Sequence, residues 1–433
     1  MINKNLNQKI YLSIKEVVKN GPKDLHIPKL GNREILYLKK CVKSNMVSSI
    51  GSFTYDFENR IGKVTGSKYA IAIMNGTSAL HLCLHLLGVN ENDEVLMPAL
   101  NFIASANAVS ALKAEPHFID SQMDNLGINI KKKNIYLKKI LVKKNGINYN
   151  KYTKKRIKVL MVTHIFGHPS NLDGIMKLAK KFNLKIIEDA AEGIGSFYKN
   201  KHVGTFGTFG VLSFNGNKTI TTGGGGIILT NNSKLAKMAK HISNTAKIPH
   251  KWRYQYSHSG YNYRMPNINA ALGCAQLENL NKFIRSKRKL YLKYRDKFKK
   301  ISEVSLMKEP KNCKSNYWLQ TLILNKDSLS FRNKILIFLN NKGFKVRPVW
   351  DLLNKNKVNF EFRPHFMSIK KNKIDLKKFK NINFNLDYYV DLSEYNNLIT
   401  DWSGIYLEFA IINKRKPILI ETKKKVNNKN YSY

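Results

Sequence analysis

The stretch IKVLMVTHIFGHPSNLDGIMKLAKKFNLKIIEDAAEG, residues 157–193, decides the fold. Ile157 to Val162 is a short, nearly unbroken apolar run and reads as a buried strand. Leu172 to Phe182 reads as an amphipathic helix, and Leu184 to Glu188 as another strand. Strand, helix and strand in this space make a βαβ unit of about the expected size. In sheets built from such units, ligands sit at the carboxyl ends of the strands.

Working outward, Tyr69 to Met74 (YAIAIM) is a further buried strand, and Asn75-Gly76-Thr77-Ser78 is a turn. A helix follows, with Ala79, Leu82, Cys83 and Leu86 on one face. The first 250 residues therefore read as an α/β domain with a largely parallel sheet. Three polar stretches fall at its strand ends. At the first, backbone N–H groups around Gly76, Thr77 and Ser78, with two hydroxyls, suit a phosphate, although an ordinary N-cap uses the same residues. The second, Glu188 to Gly193, puts Asp189 where a carboxylate can face a cofactor, with helix capping as an equal alternative.

The third is SFNGNKTITTGGGG, residues 213–226, beyond the strand VLSF. Lys218 lies there between an apolar run and four glycines that let other groups approach the backbone closely. An amine held and desolvated in this way forms Schiff bases with carbonyl compounds. Ser213 is a second candidate phosphate ligand. A phosphate anchor, a carboxylate and an amine in this order are what pyridoxal phosphate requires.

The order resembles the fold-type I aminotransferases. More closely, NGTSAL at 75–80, PALNFIA at 98–104, HIFG at 164–167, EDAAE at 188–192, SFNGNK at 213–218 and GYNYRM at 260–265 look like successive motifs of the DegT/StrS family of sugar aminotransferases. The resemblance runs from about Leu30 to Asn354. It implies a large domain at 1–255 that binds pyridoxal 5'-phosphate and a small α+β domain at 256–355. Lys218 matches the lysine that forms an imine with the cofactor and shuttles the proton, and Asp189 the partner of the pyridine nitrogen. Gly76, Thr77, Ser78 and Ser213 fall at the phosphate contacts, and Phe102 matches the aromatic that stacks on the ring. Glu192 stands near the phenolic oxygen, where the family often has Gln or His. Asn262 matches an asparagine that reaches the neighbouring subunit's phosphate, which implies a homodimer with shared active sites. The implied reaction moves an amino group from glutamate to a nucleotide-linked keto-sugar, for surface polysaccharide or amino-sugar synthesis. Dehydratases on the same fold carry His in place of the imine-forming lysine, so Lys218 argues against that chemistry.

Beyond Phe344 to Trp350 (FKVRPVW) the family pattern stops. Roughly two helices and a short apolar-proline segment are missing, so the small domain reads as incomplete. Instead FRPH at 362–365 and LITDWSGIYLEFA at 398–410 look like parts of the nucleotide-binding half of CDP-glycerol glycerophosphotransferases. The segment 356–433 is too short for the two facing domains of such a transferase. It is expected to be an inactive remnant in a gene fusion, and a catalytically impaired fusion product that binds the cofactor or is only structural is the alternative to an active enzyme.

Composition agrees with a globular enzyme. The 433 residues are 43% hydrophobic, enough for two or three domains with real cores. The net charge of +46 comes from Lys spread evenly with Asn and Ile, as in 131–158, and no recognised nucleic-acid module stands beside it. Anionic sugar-nucleotide substrates benefit from the same field. Lys4, Lys9, Lys15, Glu16 and Lys19 interrupt the opening stretch too often for a signal peptide, and no later run approaches a membrane span, so a cytoplasmic protein is expected. Cys41, Cys83, Cys274 and Cys313 lie far apart without CxxC pairing and read as reduced thiols. His81 and His85 have zinc-compatible spacing but apolar surroundings, which favour plain packing, while His164 is expected beside the site. Asn267 to Lys287 reads as one core helix without chemistry of its own.

Overall fold

The computed structural model describes residues 2–354 and, beyond them, strands at 360–361, 382–383, 407–411 and 418–422. The chain divides into two compact units, Met1–Asn356 and Lys357–Tyr433. In the second, Phe360–Glu361 pairs in parallel with Ile382–Asn383, and Leu407–Ile411 pairs antiparallel with Ile418–Thr422. Arg363, Pro364, His365 and the stretch 398–406 lie outside the described residues.

The first unit is built on a nine-stranded sheet. Its strands are β1 (Tyr69–Ile73), β2 (Asp93–Pro98), β3 (Glu115–Ile119), β4 (Leu141–Lys144), β5 (Ile147–Asn150), β6 (Arg156–Thr163) and β7 (Lys185–Asp189). After the short pair β8 (Phe197–Tyr198) and β9 (Lys201–His202) come β10 (Phe209–Ser213) and β11 (Gly226–Thr230). The order is β1-β11-β10-β7-β6-β2-β3, and the β4–β5 hairpin joins through β5 to β6. Neighbours from β10 to β3 run parallel, whereas β11 is antiparallel to both β10 and β1. β5 is antiparallel to β6 as well, and β11 is reversed because residues 214–225 return the chain without the crossover helix that a parallel partner needs.

Helices cover both faces. On one side α4 (Gly76–Leu86), α5 (Ile103–Ser110) and α8 (Ser233–Ser243) pack Leu82, Val109 and Ala239 with Val95, Met161 and Val211. On the other, α3 (Ser52–Thr65) and α9 (Asn267–Glu278) place Phe57 and Ala270 with Leu212 and Ile227. There too α6 (Ile130–Ile140) and α7 (Leu172–Lys181) set Leu137 and Ile175 with Leu160 and Ile186. Val211 and Leu212 face opposite layers, as consecutive strand residues must.

The single helix expected over 267–287 is two. The chain turns at Asn279 (φ −100°, ψ 0°), ending α9 and starting α10 (Leu280–Phe298). Asparagine bonds readily to local backbone and resists the helix interior, so it tolerates this corner. α9 stays against α2 (Asn32–Lys43) and α3, while α10 packs with α1 (Ile2–Val18). Leu6, Ile10 and Ile14 of α1 complete a core with Phe298, Ile301, Val304, Phe344 and, from α11 (Arg332–Asn341), Ile335 and Leu339. Each such burial contributes roughly 2 kcal/mol. Among the described residues no helix is long and apolar enough to cross a membrane.

Candidate active site

The carboxyl ends of β1, β2, β7 and β10 deliver Asn75, Asn101, Asp189 and Ser213 to one edge of the sheet. Gly226 pairs there with both Ile73 and Ser213. A Cβ at Gly226 would stand 2.6 Å from the carbonyl of Asn75 and 2.8 Å from the nitrogen of Gly76, so only glycine lets the start of α4 lie against β11. A Cβ at Gly76 would come 3.1 Å from the Ser213 Cβ, which puts these two residues in one corner. Asn75 caps α4 by accepting the Ser78 N–H at 2.8 Å. Capping and anion binding are therefore compatible, since the cap belongs to Asn75. Thr77 is exposed, Ser78 half-buried and Ser213 buried at the lip of the corner.

Asp189 is buried. Its Oδ2 accepts the Ser105 hydroxyl at 2.5 Å and its Oδ1 accepts the Ala191 N–H at 3.2 Å. Behind Ser105 stands Asn101, fully buried, whose Nδ2 has no partner among the described residues. Phe102 begins the same helix with 49% of its surface exposed, its ring 5.6 Å from that of Trp350. An open aromatic face beside a buried carboxylate suits a flat ring with a protonatable nitrogen.

Lys218 projects its Nζ to 3.1 Å from Glu192 Oε1 and to 4.3 Å from the centre of the Trp318 ring. Glu192 Oε2 accepts the N–H of Phe166 at 2.7 Å. Phe166 is held at φ 55°, a left-handed conformation unusual for a bulky side chain and costing on the order of 1 kcal/mol or more. Burial pushes the Glu192 carboxyl above its ordinary range, opposed by the Lys218 ammonium. Trp318 is locked by its own Nε1–H to the Asn217 carbonyl at 2.8 Å, and its backbone N–H donates to Asn316 Oδ1. Asn316 in turn donates to the carbonyls of Glu192 and Ile194. Behind them Lys287 of α10 donates to the Trp318 carbonyl and to His26 Nδ1, both at 2.9 Å, and burial lowers its pKa to about 8.

The structure thus joins Gly76 to Ser213, and Lys218 to Glu192, and places Asp189 at the neighbouring strand end. Asn262 stands apart. It is exposed between Tyr261 and Tyr263, and no contact among the described residues links it to Lys218 or Asp189. Ser105, Phe166, Asn316, Trp318 and Trp350 were missed by sequence reasoning. Four of them lie in loops without periodicity, and Ser105 is a small polar residue in an unremarked helix turn.

His164, expected beside the site, has both ring nitrogens committed to the fold. Nε2–H donates to Glu188 Oε2 at 3.0 Å, and Nδ1 accepts the Ser170 N–H at 3.1 Å. Glu188 also accepts three backbone N–H groups, from Gly204, Phe206 and Gly207, and stays ionised in its buried position. His81 and His85 pack edge-on against Tyr261. No metal-binding group of side chains occurs among the described residues, and the four cysteines are free.

Two other buried histidines give the protein an acid limit. Nε2 of His202 accepts the Gly195 N–H at 2.8 Å while Nδ1–H donates to the Val203 carbonyl, so a second proton would confront a donor. His168 is buried against Tyr317 and bonds Ser315 Oγ. Burial lowers both from 6.5 to about 4. Groups with depressed folded values contribute stability that is full above pH 6.5 and lost as pH falls toward 4. Urea unfolding at pH 7 and pH 4.5 is expected to differ by about 3 kcal/mol or more from these two groups. An unchanged midpoint would contradict the neutral assignment.

The chain belongs to the DegT/DnrJ/EryC1/StrS aminotransferase family, which it matches over residues 28–367. The match extends past residue 354, where the family pattern was expected to stop. The chain is 37% identical over 323 residues to the GDP-perosamine synthase of Escherichia coli O157:H7, covering 75% of this chain and 83% of that one. Among solved structures it is similar to the aminotransferase TlmJ from Streptoalloteichus hindustanus, with a TM-score of 0.69 and 24% identity over 77% of this chain and 86% of that one. It also resembles the E. coli GDP-4-keto-6-deoxy-D-mannose-3-dehydratase with bound hydrated PLP, with a TM-score of 0.67 and 24% identity over 77% and 87% of the two chains. At that identity the two structures speak for the fold. The chain is also 34% identical over 327 residues to the putative pyridoxal phosphate-dependent aminotransferase EpsN of Bacillus subtilis, covering 76% of this chain and 81% of that one. The protein is a pyridoxal-phosphate-dependent aminotransferase, and the glycine-lined corner, the buried Asp189 and the unpartnered Asn101 amide fit that cofactor.

Proposed function

We propose that this chain transfers an amino group from glutamate to a keto-sugar carried on a nucleotide, in surface-polysaccharide or amino-sugar synthesis. The observation that carries the reading is Lys218 Nζ held between the Glu192 carboxylate and the Trp318 indole.

In this reading Gly76, Thr77, Ser78 and Ser213 hold the phosphate, using the N-terminal N–H groups of α4. Asp189 faces the ring nitrogen, Phe102 covers the ring and Glu192 stands on the phenolic side. Bound there, pyridoxal phosphate supplies an electron sink for the carbon that carries the amino group. Lys218 gives and takes the proton at that carbon. Phe166 and Trp318 keep water from the amine, and the net charge of +46 draws in an anionic substrate. The exposed Asn262 is left for a partner's phosphate, which supports a homodimer with shared sites. The presence of Lys218 favours amino transfer over dehydration. We read the protein as cytoplasmic and 356–433 as a glycerophosphotransferase-like remnant of a gene fusion without transferase activity.

Glutamate added to the purified, cofactor-loaded chain is expected to convert the cofactor's visible absorbance to that of its amine form, with 2-oxoglutarate released stoichiometrically. Conversion by another amino acid but not by glutamate would overturn glutamate as donor, and bound cofactor that no amino acid converts would instead favour the impaired fusion product.

A further inference from the structure

We propose that Ser105 is the positioning residue that sets the orientation of the Asp189 carboxylate. The proposal rests on reading Asp189 as the partner of the cofactor's ring nitrogen.

The backbone around Asp189 is pinned on both sides. Its carbonyl accepts the His164 N–H from the β6 side at 3.1 Å, and the next residue, Ala190, donates to the Val211 carbonyl of β10 at 2.9 Å. What is left free is rotation of the carboxylate about its own side-chain bonds. Two donors remove that freedom, one on each oxygen: the Ala191 N–H on Oδ1 at 3.2 Å and the Ser105 hydroxyl on Oδ2 at 2.5 Å. Both bonds end on the carboxylate and are charge-assisted, and of the two donors only the hydroxyl belongs to a side chain.

Ser105 has one other acceptor within reach, at a longer distance. Its side chain is fully buried, and that acceptor, Asn101 Oδ1, is 3.4 Å away, so the single proton goes to the nearer carboxylate. A serine inside a helix usually turns back on its own backbone; this one points to a residue 84 positions later in the chain. Its backbone N–H meets the Phe102 carbonyl at 3.3 Å, so the turn that carries Phe102 also sets Asp189. One helical turn therefore places both groups that face the ring: Phe102 directly and Asp189 through Ser105. The charge of Asp189 is felt by the Glu192 carboxyl, which Lys218 Nζ also meets at 3.1 Å.

The test compares Ser105→Ala, Ser105→Thr and Asp189→Asn in the full chain, reading the dissociation constant for pyridoxal phosphate and the midpoint of the pH dependence of the bound cofactor's absorbance. Ser105→Ala is expected to weaken cofactor binding about 10-fold, the size of a lost charge-assisted hydrogen bond. It should also move the pH midpoint in the same direction as Asp189→Asn, by a smaller amount. Ser105→Thr, which keeps the hydroxyl, is expected to restore both. If Asp189→Asn shifts the midpoint and Ser105→Ala does not, the proposal falls while the reading of Asp189 stands. If neither moves it, the reading of Asp189 falls first and takes the proposal with it. Loss of affinity in Ser105→Ala without a midpoint shift, or without rescue by Thr, marks a packing role and overturns the assignment.

Discussion

Lys218→Ala is expected to reduce amino transfer by a factor on the order of 10^4, the upper range for removing a positioned acid–base group and here compounded by loss of the imine-forming amine. The fold should survive the change. Lys218 lies in the loop after β10, its ammonium touches one carboxylate and one indole face, and the core beneath it, Leu212, Phe214 and Ile220, does not depend on the amine. Burial already pushes the Glu192 carboxyl up, and losing the Lys218 ammonium pushes it further, which lowers the cost of leaving it without a cation. The measurement is the rate of amino transfer, together with borohydride reduction of the loaded protein and mass analysis of the peptide around position 218. The parent chain should carry the reduced cofactor there and the variant should not. A rate within 10-fold of the parent would remove Lys218 from the chemistry.

Gly226→Ala should disrupt the corner where α4 meets β11. The added carbon meets backbone atoms, with the Asn75 carbonyl at 2.6 Å and the Gly76 nitrogen at 2.8 Å, so no side-chain rotation relieves it. Either β11 or the start of α4 must move. Overpacking of this kind costs about 1–3 kcal/mol of stability, and the displaced corner of Gly76, Thr77, Ser78 and Ser213 should weaken phosphate binding on the order of 100-fold. Gly224→Ala is the control. Two positions away in the same glycine run, its added carbon finds only the Met74 carbonyl at 3.8 Å, an ordinary contact. Cofactor affinity by fluorescence titration and the thermal midpoint separate the two variants. Equal behaviour would show that the run acts through flexibility instead of close approach.

The βαβ unit was legible because its residues are buried on both faces of a parallel sheet. The strand read over Ile157 to Val162 is Arg156–Thr163, the helix read to Phe182 ends at Lys181, and the strand read over Leu184 to Glu188 is Lys185–Asp189. Continuous burial produces continuous apolar runs, and these are visible without any tertiary knowledge. The break at Asn279 was not legible, since apolar spacing continues through it and only the competing partners of α9 and α10 pull the halves apart. α1 was similarly opaque. Nothing local announces that Leu6, Ile10 and Ile14 would meet Phe298 and Phe344.

Sequence alone determined the order of phosphate corner, carboxylate and amine, because each must follow a strand end and strand ends are written in local hydrophobicity. Tertiary structure alone decided the company those groups keep. Ser105 on Asp189, Trp318 and Glu192 on Lys218, and the carbonyl of Asn75 under Gly226 are contacts between loops and helix ends far apart along the chain. They are set by which strands lie side by side, a choice made by the packing of the whole sheet and not by the residues that come to touch.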